Sequence, residues 1–94
     1  MSVKQKYEIY MAEGLYQQAI TEINTLLGDD SIMPQDRARL LVARGKSWWS
    51  VGDRRKALND YEEATSLDPS GPGKQLIDYT MGILDFYDTN LYNP

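Results

Sequence analysis

The sequence predicts an all-α domain, and three observations carry that reading. Between Tyr16 and Leu27 the apolar residues Tyr16, Ala19, Ile20, Ile23, Leu26 and Leu27 recur at helical spacing on a single face. Between Ala38 and Pro69, small and large residues keep a fixed register: Leu41-x2-Arg44-Gly45-x2-Trp48, then Gly52-Asp53, then Ala57-x3-Tyr61-x2-Ala64-x4-Pro69. A shift of 38 residues lays a weaker copy of this register over the N-terminus. Tyr7, Tyr10, Met11 and Gly14 then fall on Gly45, Trp48, Trp49 and Gly52, and Ala19, Ile20, Ile23 and Leu26 fall on Ala57, Leu58, Tyr61 and Ala64.

Five helices follow in order. The first is expected over about Val3 to Ala12, stopped by Gly14. The second runs from Tyr16 to Leu27 and is capped by Gly28. The stretch from Gly28 to Met33 has turn chemistry and absorbs the extra residues between the two copies; its adjacent Asp29 and Asp30 lack further carboxylates at ligand spacing and read as a turn rather than a cation site. The third helix starts near Pro34, a residue suited to a first turn, and ends near Val51. Gly52 reverses the chain, Asp53 is the N-cap of the fourth helix, and Pro69 closes it. Ser70-Gly71-Pro72-Gly73 is a break before a fifth helix over about Lys74 to Asp88. In that helix Leu76, Ile77, Tyr79, Ile83, Leu84, Phe86 and Tyr87 cover much of the circumference, so it needs cover on more than one side. The fourth helix, a fold-back of the Leu91-Tyr92 tail and a second copy of the chain can each supply it.

The 94 residues, 41% hydrophobic and 26% charged, make one small domain with room for one core. With no Cys and no His, disulfides, thiolate metal sites, Cys nucleophiles and the commonest general base are all missing. We therefore expect no enzyme activity, no metal and no cofactor. The first residues carry no apolar signal segment and no run is long enough to span a membrane, which gives a cytoplasmic expectation. The net charge of −4 is unevenly spread. Residues 1–36 carry two basic and six acidic residues, 37–56 seven and one, and 57–94 one and seven. A basic middle helix between acidic flanks reads first as neighbouring faces that neutralise each other, and second as a basic groove for an acidic peptide. Binding to nucleic acid is disfavoured by a pI of about 4.6.

The register from Leu41 to Pro69 resembles the tetratricopeptide repeat, whose pattern runs large, Gly, aromatic, Ala, aromatic, Pro. Here Gly45 and Ala57 are small where two antiparallel helices would touch, Trp48 and Tyr61 fill the space beside them, and Arg44 stands where the family usually has Leu. The resemblance implies antiparallel helix pairs stacked as a short right-handed solenoid. Residues 1–33 would be a weak first repeat, 34–69 a clear second, 72–88 a capping helix and 89–94 a tail. It also implies a scaffold that binds a peptide or protein segment in a concave groove, or a homo-oligomer whose groove is closed by its own last helix or by a second copy.

By matched register the groove would show Lys4, Glu8 and Met11 from the first helix and Arg39, Val42, Lys46 and Trp49 from the third, with Leu76, Thr80 and Ile83 from the fifth. The family's clamp on a C-terminal carboxylate is not expected: Lys4 fits one clamp position, but Glu8 and Ala43 stand where Asn is needed. Trp48 and Trp49 point about 100° apart on a helix, so only one can share the seam of Gly45. Trp48 is expected in the core. Trp49 is either a groove anchor or a core residue covered by the fifth helix.

Overall fold

Local chemistry places the helix boundaries. The computed structural model describes the backbone of residues 5–92 and the side chains of residues 5–82. It contains α1 (Lys6–Ala12), α2 (Tyr16–Leu27), α3 (Pro34–Ser50), α4 (Arg54–Leu67) and α5 (Gly73–Tyr92), with no strand among the described residues. Pro34 opens α3 behind an extended Met33. Asp53 caps α4, its carboxylate accepting the Lys56 N–H at 3.1 Å.

The boundaries differ from the sequence reading toward both ends of the chain. α1 begins at Lys6, where Gln5 is extended and its N–H donates to the Glu8 carboxylate at 3.0 Å, while the expected start at Val3 lies outside the described residues. α5 continues to Tyr92 rather than stopping at Asp88, so residues 89–92 prolong the helix and Leu91-Tyr92 does not fold back. No proline intervenes until Pro94, whose ring disfavours helical backbone at the preceding residue.

The 38-residue offset reappears in the backbone of the two tight turns. Leu15 N–H donates to the Tyr10 carbonyl at 2.8 Å and Gly14 N–H to Met11 at 3.1 Å; the corresponding bonds are Asp53 to Trp48 at 2.9 Å and Gly52 to Trp49 at 3.1 Å. Gly14 (φ 77°) and Gly52 (φ 94°) both sit in the left-handed region, which such helix ends require and only glycine enters without strain.

Each helix packs on its chain neighbours. α3 and α4 are antiparallel, since Arg44 meets Asp60 near the middle while Trp48 meets Lys56 at the turn end. They press together at Gly45, where an added Cβ would lie 2.5 Å from the Tyr61 ring and 3.2 Å from the Ala57 carbonyl. Gly73, which the sequence reading leaves in the break, is the first residue of α5 and is pressed against Thr65 and the Tyr61 carbonyl of α4. Among the described residues the core has two clusters. Tyr7, Ala19, Ile23 and Leu40 join α1, α2 and α3, and Ala38, Leu41, Val42 and Ala64 join α3 and α4 with Leu76 of α5 against them. Leu27 packs on both and makes the apolar interior continuous. The molecule measures 53 × 28 × 25 Å. No helix among the described residues is long and apolar enough to cross a membrane.

Candidate functional site

α3 positions the residues around which the site is built. On one side of it, Arg39 and Val42 border a depression of about 190 Å³ closed by Ala64, Asp68 and the Gly71–Gly73 turn. One step along the helix, Lys46 and Trp49 border a second, of about 230 Å³, with Tyr61 as its floor and Leu76, Tyr79 and Thr80 of α5 as its far wall. Arg39 also faces a third, of about 330 Å³, toward Tyr7 and Ile32. The structure thus brings the four α3 candidates onto successive hollows along the α3–α5 seam.

The α1 candidates are placed differently. Glu8 is exposed, and its carboxylate is engaged by the Gln5 N–H. Met11 is partly buried against the Tyr7–Ala19–Ile23–Leu40 cluster and serves the core. Lys4 and the side chain of Ile83 lie outside the described residues. Thr80 is buried at 1% exposure, so it is wall rather than contact surface.

The paired tryptophans divide between two faces, as their 100° separation requires. Trp49 is half-buried: its ring lies 6.1 Å from that of Tyr79, tilted by 56°, and the Arg54 guanidinium sits 4.6 Å from its centroid. It is therefore covered on one side by α5 and open on another. Trp48 is a correction to the sequence reading, because it is half-buried and not core. It lines a polar hollow of about 350 Å³ with Asn24, Arg44, Asn59 and Glu63, and the Lys56 ammonium lies 4.4 Å above its ring. The space beside Gly45 is filled from the other helix, by Tyr61, which is 3% exposed.

Periodicity gave no sign of the Arg44 network. Its Nε and Nη2 each donate to an oxygen of Asp60 at 2.8 Å, and Nη1 donates to the Asn24 side chain at 2.9 Å, so one guanidinium ties α2, α3 and α4. Those bonds to Asp60 raise the Arg44 pKa, against the opposing effect of burial. The available signal was an arginine at a seam position with a carboxylate one turn from Ala57 on the facing helix. Burial also raises Tyr7, and pushes Tyr61 up to about 12 with help from the nearby Asp60 charge. In the α2–α3 turn, the hydrogen bonds from the Ser31 hydroxyl and N–H to Asp29 lower that carboxyl, as a closed Asx turn does. Among the described residues no group of acidic side chains could hold a metal ion. No protein-family model, characterised protein or solved structure matches this chain.

Proposed function

We propose that the chain is a cytoplasmic protein-interaction module: a short right-handed solenoid of two tetratricopeptide-like helix hairpins capped by α5, holding a peptide segment of a protein partner along α3. The observation that carries this reading is the row of hollows bordered by Arg39, Val42, Lys46 and Trp49. The two between α3 and α5, of about 190 and 230 Å³, are smaller than the roughly 300–1,000 Å³ of a drug-sized site and each suits a single side chain. From Arg39 to Trp49 the helix rises about 15 Å, the length of four or five extended residues. Lys46 is exposed beside Trp49, and Arg54 stacks on the same ring, so an acidic segment with an aromatic or aliphatic anchor is the fitting ligand.

A dye-labelled peptide alternating Asp or Glu with Phe or Leu should bind saturably to the full chain. Lys46→Glu should weaken it about tenfold and Trp49→Ala more, while Trp48→Ala, on the other face, leaves binding intact. Equal loss from both tryptophan variants, or no saturable binding, refutes the groove.

A further inference from the structure

The two hollows between α3 and α5 differ in chemistry, so they do not take the same side chain. That of Lys46 and Trp49 is aromatic, with a cation at its edge. The other, of about 190 Å³, has buried aliphatic residues as its floor, Ala38, Val42 and Ala64, and a polar rim of Gln35, Arg39 and Asp68. Both kinds of hydrogen-bonding group stand open on that rim. Arg39 engages Asp36 through Nη1 alone, at 3.3 Å in an exposed pair. Half-buried Asp68 accepts the Ser70 hydroxyl at Oδ1, 2.9 Å away, and its Oδ2 accepts no hydrogen bond among the described residues. Gly71 has no side chain to cover this oxygen; an added Cβ would stand 3.0 Å from it. Neither sign of charge is in excess. Asp36 offsets Arg39, and the first turns of α3 and α5, opening at Pro34 and Gly73 beside the hollow, offset Asp68.

We infer that this hollow selects a glutamine side chain of the partner segment, four residues from the side chain that anchors beside Trp49. The inference rests on the groove reading above and names the second anchor of its ligand. A carboxamide is neutral and carries an acceptor for Arg39 and two donors for Asp68 Oδ2. The alternatives each fail at one group. A carboxylate meets Asp68, an ammonium meets Arg39, and an aliphatic side chain shuts water away from Oδ2 without replacing it. A Ser or Thr hydroxyl offers both functions on a stem too short to cover the aliphatic floor, which the two methylenes of glutamine cover. The spacing follows from α3. In an extended ligand, side chains on one side recur every second residue, and four residues span about 13 Å, against the rise of about 15 Å from Arg39 to Trp49. Two residues fall short of the second hollow and six overshoot it.

Fluorescence anisotropy with the full chain and dye-labelled peptides tests this. Each peptide carries Phe flanked by Asp, with Gln, Glu or Met four residues away, and each is made in both chain directions. In one direction the wild type should bind the Gln peptide roughly tenfold more tightly than the near-isosteric Glu and Met peptides. Asp68→Asn keeps the size of the side chain and an acceptor for the Ser70 hydroxyl, and circular dichroism checks that its helicity is unchanged. Its amide can donate to a carboxylate, so the Glu peptide should rise to within about twofold of the Gln peptide or above it. Saturable binding with Gln, Glu and Met equal in both directions overturns the selection and leaves the groove standing. Failure of every peptide to bind saturably overturns both. The wild-type ranking is decisive by itself; continued rejection of Glu by a folded Asp68→Asn variant overturns the assignment to Asp68.

Discussion

Replacing Arg44 with Leu, the residue that the tetratricopeptide pattern favours there, should destabilise this chain severely. The reason lies in Asp60. It is 5% exposed, and the two oxygens of its carboxylate are held by Arg44 at 2.8 Å each. Arg44→Leu removes both donors and strands a charge that cannot reach water, which costs about 3–5 kcal/mol in comparable buried pairs. For a domain with total stability of about 5–15 kcal/mol, this is enough to populate unfolded chain. Asp60→Leu should cost less, because the Arg44 side chain is 24% exposed and retains Asn24 at 2.9 Å. The double variant Arg44→Leu with Asp60→Leu should return close to wild type or exceed it, since apolar replacement of a buried ion pair is commonly neutral or stabilising. A double-mutant cycle by urea denaturation, with helicity as the probe and the urea slope checked for constancy, measures the coupling. Arg44→Leu within about 0.5 kcal/mol of wild type would show Asp60 to be solvated and refute the reasoning.

The same substitution at two glycines should give opposite signs. Gly45→Ala forces the Tyr61 ring and the Ala57 carbonyl apart and should cost about 1–2 kcal/mol net, whereas Gly82→Ala, with open space around its Cβ, should raise monomer stability by up to about 1 kcal/mol. Thermal melts of dilute protein compare them. Tyr61 titrates near 12 when folded against about 10 unfolded, so the unfolded chain loses its proton first. Stability should be intact below pH 10 and fall by about 2–3 kcal/mol as pH rises from 10 to 12; Tyr61→Phe should flatten much of that decline, leaving the smaller share from Tyr7. Trp48→Ala and Trp49→Ala should each cost about 1–3 kcal/mol, below the 3–5 of a fully buried aromatic, and should be told apart by peptide binding rather than by melting.

Helix positions were legible because their signals are local. α2 carries one apolar stripe, Pro34 can only open a helix, and Gly52-Asp53 combines a left-handed reversal with a cap. The 38-residue offset survives as matching turn hydrogen bonds, even though Tyr7 stands where Gly45 does. What stayed illegible depends on the facing helix. A period of 3.6 puts Trp48 one turn from Gly45, but the ring that enters the Gly45 gap is Tyr61, reaching across from α4. Arg44 looked like a flaw in the pattern for the same reason: its partners, Asp60 and Asn24, lie 16 and 20 residues away. The length of α5 was hidden by Gly82 and by the absence of any stop signal short of Pro94.

The basic block between residues 37 and 56 shows how tertiary structure sorts charges that the sequence lumps together. Arg37 is turned to the Asp29 carbonyl at 3.3 Å, Arg44 is consumed by Asp60, and Lys56 pairs with Asp53 at 3.8 Å while covering Trp48. Arg39 meets Asp36 at 3.3 Å in a pair so exposed that it contributes little to stability and yields readily to a competing carboxylate. Lys46 and Arg54 have no carboxylate partner among the described residues, and both border Trp49. Of the cations in the block without such a partner among the described residues, Lys46 and Arg54 thus meet at Trp49, and Arg55 stands apart on α4. Capture of an acidic peptide should accordingly weaken as salt rises, and the combined variant K46E with R54E should abolish that dependence while Arg55→Glu, on an exposed turn of α4, leaves it nearly unchanged. A salt slope equally reduced by Arg55→Glu would mean that steering comes from the net charge of the block and not from the Trp49 end of the groove.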